Sequence, residues 1–354
     1  VISVVLPTFN ESDNLAPLLK ELSDALRGRY EYEVVVVDDN SPDLTWRTAA
    51  SLICMYRSRL IVVRRFGRRG LSSAVIDGVG FTRGEYIVVM DADLQHPPST
   101  IPRMVEAAKK GYELVVASRY APGGGVEGWS RLRLLISKGA TLIARLMLLE
   151  ARGISDPMSG FFLVNRNMLR RCRGLNPMGF KILLELLVKC SPSRVAEVPY
   201  TFRRRLRGRS KLGLRTMIDY VLHVLKLSEW RPLKFATVGA LGYVVNVLTT
   251  AVASIIAPWF YLRNVVGIEV STLFNFTLHE HWTFKSRRGG SLLRRLASFH
   301  GAVVPAIIAQ YVVAQLCYYL ANLPEYLAIL LGVIAGFTIN YVLSEVGVWT
   351  QRST

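Results

Sequence analysis

An α/β domain with a mostly parallel sheet, followed by an all-α membrane domain of four transmembrane helices, is the fold class this 354-residue sequence predicts. Three observations carry it. Short, continuous apolar runs alternate with segments of helical period through the first part of the chain, the pattern of a parallel sheet with crossover helices. Polar and charged residues recur at the ends of those runs, where α/β sheets hold ligands. In the last third, residues 235–262, 299–324 and 326–344 contain no Asp, Glu, Lys or Arg, and 264–284 carry only Glu269 and Glu280. A bilayer span needs about 20 mostly apolar residues, so four spans are expected.

The elements follow in order. Ile2–Leu6 reads as the first strand; it is too short for the apolar region of a signal peptide, and none is expected. Leu15, Leu18, Leu19, Leu22, Ala25 and Leu26 mark a helix over Asn14–Leu26. Val34–Val37 is a second strand, closed by Asp38-Asp39, and a helix starts near Leu44. Leu60–Val63 is a third strand, Ser72–Gly80 a helix, Tyr86–Met90 a fourth strand and Leu114–Ala117 a fifth, ending at Ser118-Arg119. Leu132–Glu150 is apolar at most positions with Arg133, Lys138 and Arg145 interleaved, which fits either a core helix or one lying in a membrane interface. Thr201–Trp230 opens with Arg203, Arg204, Arg205, Arg207, Arg209 and Lys211 and continues as an amphipathic stretch, the pattern of an interface helix before a span. The chain thus divides into an α/β domain over 1–208, an amphipathic interface helix and linker over 209–232, and a membrane domain over 233–354.

Charge and cysteine content narrow the class. Basic residues outnumber acidic ones 44 to 26, giving +18. Lys285, Arg287, Arg288, Arg294 and Arg295 lie between the second and third spans, so the positive-inside rule places that loop, both termini and the α/β domain in the cytoplasm. Basic residues beside spans favour anionic lipid or phosphate over nucleic acid; no helix-turn-helix or aromatic single-strand platform is present, and no nucleic acid is expected as a partner. Cys54, Cys172, Cys190 and Cys317 are scattered, with no C-x-x-C, so neither a zinc site nor a disulfide is expected. Asn275 before Trp282-Thr283 and Asn340 before Trp349-Thr350 suggest a repeat of two helical hairpins.

The chemistry concentrates at Asp91-Ala92-Asp93-Leu94-Gln95, directly after the fourth strand. Two carboxylates at a strand end suit a hard divalent cation, which is usually held by one or two carboxylates together with substrate phosphates. Pro7, Asp39, Asp91, Asp93 and Arg119 all occupy carboxyl ends of strands, the shared edge where functional groups meet.

Together these residues resemble the inverting nucleotide-sugar glycosyltransferases of family 2, which have the GT-A fold. Val4–Glu11, Val34–Asp43, Gly70–Ala74 and Asp91–Pro98 carry the likeness. Ser118-Arg119-Tyr120, Asp156–Phe162, Gly179-Phe180-Lys181 and Arg205–Leu212 resemble the dolichol-phosphate mannose synthases within it, and Lys234-Phe235, Val238-Gly239 and Trp282–Phe284 resemble the GtrA-like membrane domain. No Q-x-x-R-W motif of processive polysaccharide synthases begins at Gln95, Gln310, Gln315 or Gln351.

The resemblance implies transfer of mannose from GDP-mannose to dolichyl or another polyprenyl phosphate at the bilayer, with inversion. It implies that Asp91, Asp93 and Gln95 bind Mg2+ or Mn2+, and that Pro7, Phe9, Glu11, Val37, Asp39 and Ala92 surround the donor nucleotide. Arg119, Arg133 and Ser137 are implied to position the acceptor phosphate, with Lys181, Arg205 and Ser210 near the donor. UDP-glucose stays open as donor, and a membrane lipid transporter with a regulatory soluble domain is the alternative of another class.

Overall fold

The computed structural model describes residues 1–56, 59–67, 69–172, 174–175, 181–204, 213–256 and 260–349. The chain separates into two compact units, Val1–Leu227 and Ser228–Thr354.

The first unit is built on β1 (Ile2–Thr8), β2 (Tyr32–Asp38), β3 (Leu60–Arg64), β4 (Tyr86–Val89), β5 (Leu114–Ser118), β6 (Gly125–Val126), β7 (Phe162–Asn165), β8 (Val195–Pro199) and β9 (Thr201–Phe202). Its helices are α1 (Ser12–Leu26), α2 (Thr45–Ser51), α3 (Ile53–Tyr56), α4 (Leu71–Gly80), α5 (Ile101–Lys109), α6 (Arg131–Met147), α7 (Arg166–Arg171), α8 (Ile182–Glu185) and α9 (Leu214–Leu227). Seven strands pair in the order β3-β2-β1-β4-β7-β5-β8, while β6 and β9 form a separate parallel pair. Every pair in the large sheet is parallel except those of β7, which runs antiparallel between β4 and β5. The sheet is therefore mixed.

Both faces are covered, which explains the unbroken apolar runs. Val4 and Leu6 of β1 pack with Leu15, Leu18 and Leu22 of α1 and Met104 of α5. Val5, one residue out of phase, packs on the other face with Val75 of α4 and Leu183 of α8. Leu15, Leu18, Leu19, Leu22 and Leu26 are all essentially inaccessible to solvent, as their helical spacing requires.

Amphipathic α6 is not a core helix. Ser130 caps it by accepting the Arg133 N–H at 3.2 Å, but Leu132 and Leu135 are each 67% exposed and only Thr141 and Ala144 are buried. In α9, Tyr220, Val224 and Leu227 pack against Ala144, Leu148 and Leu184, whereas Met217, Ile218 and Leu222 face outward. Contrary to expectation, Cys172 and Cys190 form a disulfide, their Cα atoms 4.6 Å apart. They stand 18 positions apart in sequence; the fold returns the end of α7 to the segment after α8, a proximity that spacing along the chain does not reveal.

The second unit contains α10 (Arg231–Ala253), α11 (Phe260–Leu278), α12 (Leu292–Tyr319) and α13 (Glu325–Leu343). Among the described residues, three stretches are long and apolar enough to cross a membrane: Arg231–Ala253, Leu292–Tyr319 and Leu330–Val348. The fourth expected span, at α11, forms a helix but falls outside that group, because Arg263, Asn264, Glu269 and Asn275 dilute its apolar character.

A repeat is present, and it rests on more than the asparagines. Arg231, Phe235, Asn275, Phe276 and Glu280 in the α10–α11 hairpin correspond in order and close spacing to Arg295, Phe299, Asn340, Tyr341 and Glu345 in α12–α13. Their contacts cross between hairpins. Arg231 donates to Glu345 at 2.8 Å and Arg295 to Glu280 at 2.6 Å. Phe235 meets Tyr341 at 5.5 Å between ring centroids, and Phe299 meets Phe276 at 5.9 Å. The tryptophans do not correspond: Trp349 is buried and donates its indole N–H to Glu280 at 2.8 Å, while Trp282 is exposed.

Candidate active site

The strand ends of the large sheet are tied together before any functional side chain is considered. The Asp39 N–H donates to the Thr8 carbonyl at 3.2 Å, joining the loops after β1 and β2, and Pro7 pairs in register with the buried Val37. Asp38 is fully buried and accepts from the Ser41 N–H at 2.8 Å and the Ser41 hydroxyl at 2.6 Å, making it a structural turn acid. Asp39 instead turns its carboxylate toward α4. It accepts from Arg65 Nε at 2.7 Å and from the Gly70 N–H at 2.8 Å. Gly70 has φ +142°, a conformation that side-chain-bearing residues rarely adopt, which lets the loop present its N–H there.

Asp39, Asn40, Arg65, Gly67 and Arg69 line a cavity of about 380 Å³, within the usual size range for small-molecule sites. Phe9 lies 5.2 Å below the Arg69 guanidinium. Glu11 donates its N–H to Thr45 at 3.0 Å and accepts from the Asn14 amide at 2.6 Å. Pro7, Phe9, Val37 and Asp39 therefore share one edge, with Glu11 beside them at the head of α1.

The loop after β4 carries the acidic pair. The Asp91 N–H donates to His96 Nδ1 at 3.0 Å, and the His96 ring stacks on Phe161. Burial pushes the His96 pKa down to about 4, so the ring is neutral near pH 7 and its Nδ1 is free to accept. This histidine positions the loop. Leu94 adopts φ +64°, turning the chain so that Asp93 accepts the Gln95 N–H at 3.2 Å. Gln95 donates Nε2 to the Arg203 carbonyl at 2.9 Å, which leaves its amide oxygen as an acceptor. Ala92 is buried between the two acids. Gly160 admits Asp91, since a Cβ there would stand 3.2 Å from the carboxylate.

Asp91, Asp93 and Gln95 thus supply three hard oxygen groups within five residues, a donor set that fits a magnesium-type ion. Among the described residues no three or more His, Cys, Asp and Glu side chains form a metal cage.

The cationic side of the site begins at the end of β5. Arg119 binds the fully buried Asp156 through Nε and Nη2, both at 2.7 Å, and its own N–H also donates to Asp156 at 3.1 Å. Burial alone would lower the Arg119 pKa; the hydrogen bonds and charge of Asp156 outweigh it and hold the guanidinium above its ordinary value. The Trp129 ring lies 5.3 Å from the Arg119 guanidinium and 4.4 Å from that of Arg133. Ser137 meets the Tyr120 hydroxyl at 2.7 Å. Arg119, Arg133 and Ser137 therefore belong to one patch. Lys181 donates to the Met158 carbonyl at 2.9 Å. Burial, then the Arg119 charge, lowers its pKa to about 8, with Asp91 and Asp156 opposing. Arg205 and Ser210 lie outside the described residues.

Asp156, Trp129 and Arg65 shape these contacts without standing out in the sequence, although Asp156 opens the Asp156–Phe162 motif. Trp129, just before an amphipathic basic helix, was the one legible signal among them. The Asp156 loop is itself held by Glu197, which accepts from Ser155 and from the Asp156 N–H at 3.2 Å.

Residues 3–173 match Glycosyl transferase family 2, and residues 234–349 match the GtrA/DPMS transmembrane domain. A dolichol-phosphate mannosyltransferase of Pyrococcus furiosus is 41% identical over 353 residues, covering 98% of this chain and 99% of that protein. The chain belongs to the dolichol-phosphate mannosyltransferase family. A Saccharomyces cerevisiae member is 39% identical over 64% of this chain and 86% of its own length, and one from Mycosarcoma maydis is 36% identical over 72% and 88%. Among solved structures, glucosyl-3-phosphoglycerate synthase from Mycobacterium tuberculosis covers 64% of this chain and 78% of its own at 21% identity and a TM-score of 0.48. The chain is a multi-pass membrane protein.

Proposed function

We infer that this chain transfers mannose from GDP-mannose to dolichyl or a related polyprenyl phosphate, with inversion at the anomeric carbon. The observation that carries the reading is the meeting of an oxygen-donor loop with a buried cationic patch at one sheet edge, in a chain that matches a dolichol-phosphate mannosyltransferase over nearly its whole length. The first feature suits a nucleoside diphosphate, and the second suits a second phosphate.

An anionic acceptor phosphate needs no proton removed before it attacks. One of its oxygens forms the new bond to the anomeric carbon while the bond to GDP breaks, and the electron pair leaves with the nucleotide. Arg119 holds the attacking anion against repulsion from the diphosphate. Arg119 does so with its plane fixed by Asp156, so no reorganisation is needed when the acceptor arrives. Arg133 and Ser137 extend that patch along α6. Asp91, Asp93 and the Gln95 amide oxygen would hold Mg2+ or Mn2+, which when bound neutralises charge on the departing diphosphate. Pro7, Phe9, Glu11, Val37 and Asp39 receive the nucleoside, with Lys181, Arg205 and Ser210 on the donor side.

The exposed apolar faces of α6 and α9 suit contact with the bilayer surface. The GT-A architecture, a fourth span at α11 and a cytoplasmic face for the first unit complete this reading. An acceptor whose phosphate sits at that surface then reaches the site without leaving the lipid.

Purified protein incubated with labelled GDP-mannose or UDP-glucose, polyprenyl phosphate and Mg2+ or Mn2+ tests it. Label should enter the organic phase from GDP-mannose alone, and chelation should stop the transfer. Asp93→Ala should lower turnover at least about a hundredfold while the protein still purifies folded. Label entering from UDP-glucose instead would overturn the donor assignment, and unchanged turnover in the variant would overturn the metal role.

A further inference from the structure

Arg65 is a buried arginine that no part of the transfer uses. It stands one residue beyond β3, and its guanidinium is shared among three side chains. Nε donates to Asp39 at 2.7 Å, Nη1 to Asp77 at 3.0 Å, and Nη1 and Nη2 both reach the Ser73 hydroxyl at 3.0 Å. Arg65 and Asp39 are each only 6% exposed, whereas the Asp77 side chain is 33% exposed at the rim. The preceding residue does the same for the next position of the β2 loop. Arg64 Nε donates to Asn40 at 2.9 Å and stacks 3.8 Å above Trp46. Two consecutive arginines at the end of β3 thus fix Asp39 and Asn40, which line the same cavity.

The arrangement has more charge than packing requires. An arginine buried between two acids costs desolvation that apolar side chains would avoid, so such a cluster is weak evidence of stabilisation. What it gives is orientation. A carboxylate free to rotate loses entropy on binding a ligand; one held at both oxygens by Arg65 and Gly70 does not, and each oxygen keeps a lone pair for a further donor. Asp77 and Ser73 matter because they stop the guanidinium from swinging away from Asp39.

We propose that Arg65, braced by Asp77 and Ser73 of α4, is a positioning residue that presets Asp39 and Gly70 around the nucleoside of the donor. The assignment rests on the reading that Asp39 meets the nucleoside. It places part of donor affinity in a side chain, Asp77, that itself lies behind the arginine. Arg65 acts before chemistry: it raises affinity for the nucleotide and leaves the reacting bond alone.

The test uses the full-length protein in detergent with Mn2+. Binding of GDP and of UDP is measured by calorimetry, beside steady-state kinetics with the sugar donor. Asp77→Asn should weaken nucleotide binding and raise the donor KM about tenfold, the size expected for loss of one charge-assisted hydrogen bond, with kcat changed less than about twofold. Asp39→Asn should do at least as much, and the double variant should be no weaker than Asp39→Asn, because both act through one carboxylate. Asp77→Glu should recover most of the affinity. An unchanged KM, a fall in kcat alone, or additive losses in the double variant would each overturn the proposal, as would a lowered unfolding midpoint of the free protein with affinity intact. Binding of UDP in place of GDP by the unaltered chain would overturn the donor reading, while the same comparisons on UDP still judge Arg65. Binding of neither nucleotide would overturn both.

Discussion

At the scale of single residues, the site is organised by groups that hold other groups. His96 gives its Nδ1 to the Asp91 N–H, Asp156 gives both carboxylate oxygens to Arg119, and Gln95 spends its amide N–H on Arg203. Each fixes the position of a neighbour. For Arg119 this yields a sharp expectation. A lysine keeps the charge but cannot bridge both Asp156 oxygens and a ligand from one rigid plane. Arg119→Lys should therefore lower kcat/KM for the polyprenyl phosphate about tenfold to hundredfold, the worth of one charge-assisted hydrogen bond. Donor affinity should change much less. Equal losses for donor and acceptor would show that Arg119 serves the whole site instead.

At the scale of elements, α9 shows how burial and titration are linked. His223 lies on its inner face, with Nε2 3.8 Å from Glu185, and its pKa is lowered by burial and then by the charges of Lys189 and Lys226. A histidine whose folded pKa lies below its unfolded value, about 6.5, leaves the unfolded chain holding more protons below that pH. Its neutral form is thus fully accommodated above about pH 6.5, and stability falls as acid charges the unfolded ring. The unfolding midpoint of the first unit should drop between about pH 7 and 5, and His223→Leu should flatten that drop. An identical pH profile in the variant would remove His223 as the cause.

The same scale separates what could be read beforehand from what could not. The runs Ile2–Leu6, Val34–Val37 and Tyr86–Met90 announced themselves because a strand buried on both faces has no polar alternation to confuse it. Strand β7 was hidden: Phe161, Phe162, Leu163 and Val164 follow a motif turn, and nothing local says the strand runs antiparallel between β4 and β5. Strand β8 was hidden by Glu197, a core-edge acid whose partners lie on the Ser155–Asp156 loop. The acidic loop could be read from adjacency alone, whereas the partnership of Arg119 with Asp156, 37 residues away, and the Cys172–Cys190 bridge arise only when the sheet is assembled.

For the molecule as a whole, two units answer to two surroundings. The first hides its apolar runs inside a sheet; the second turns Val252, Ile307, Ile308 and Tyr311 outward, as helices in lipid do. Having spent its apolar surface on lipid, the second unit needs another source of specificity between its hairpins, and the crossed pairs supply it. If the repeat is a true duplication, the arginine at the head of each hairpin must couple to the glutamate at the foot of the other, and not to its own. Breaking one buried pair should cost about 3–5 kcal/mol. In double-mutant cycles read from unfolding in micelles, Arg231→Ala with Glu345→Ala should cost well under the sum of the singles. Arg295→Ala with Glu280→Ala should behave alike. The within-hairpin combinations, Arg231 with Glu280 and Arg295 with Glu345, should be additive to within about 0.5 kcal/mol. Coupling within a hairpin and additivity across hairpins would mean that each hairpin is a self-contained element and that the crossed pairs do not hold the two together.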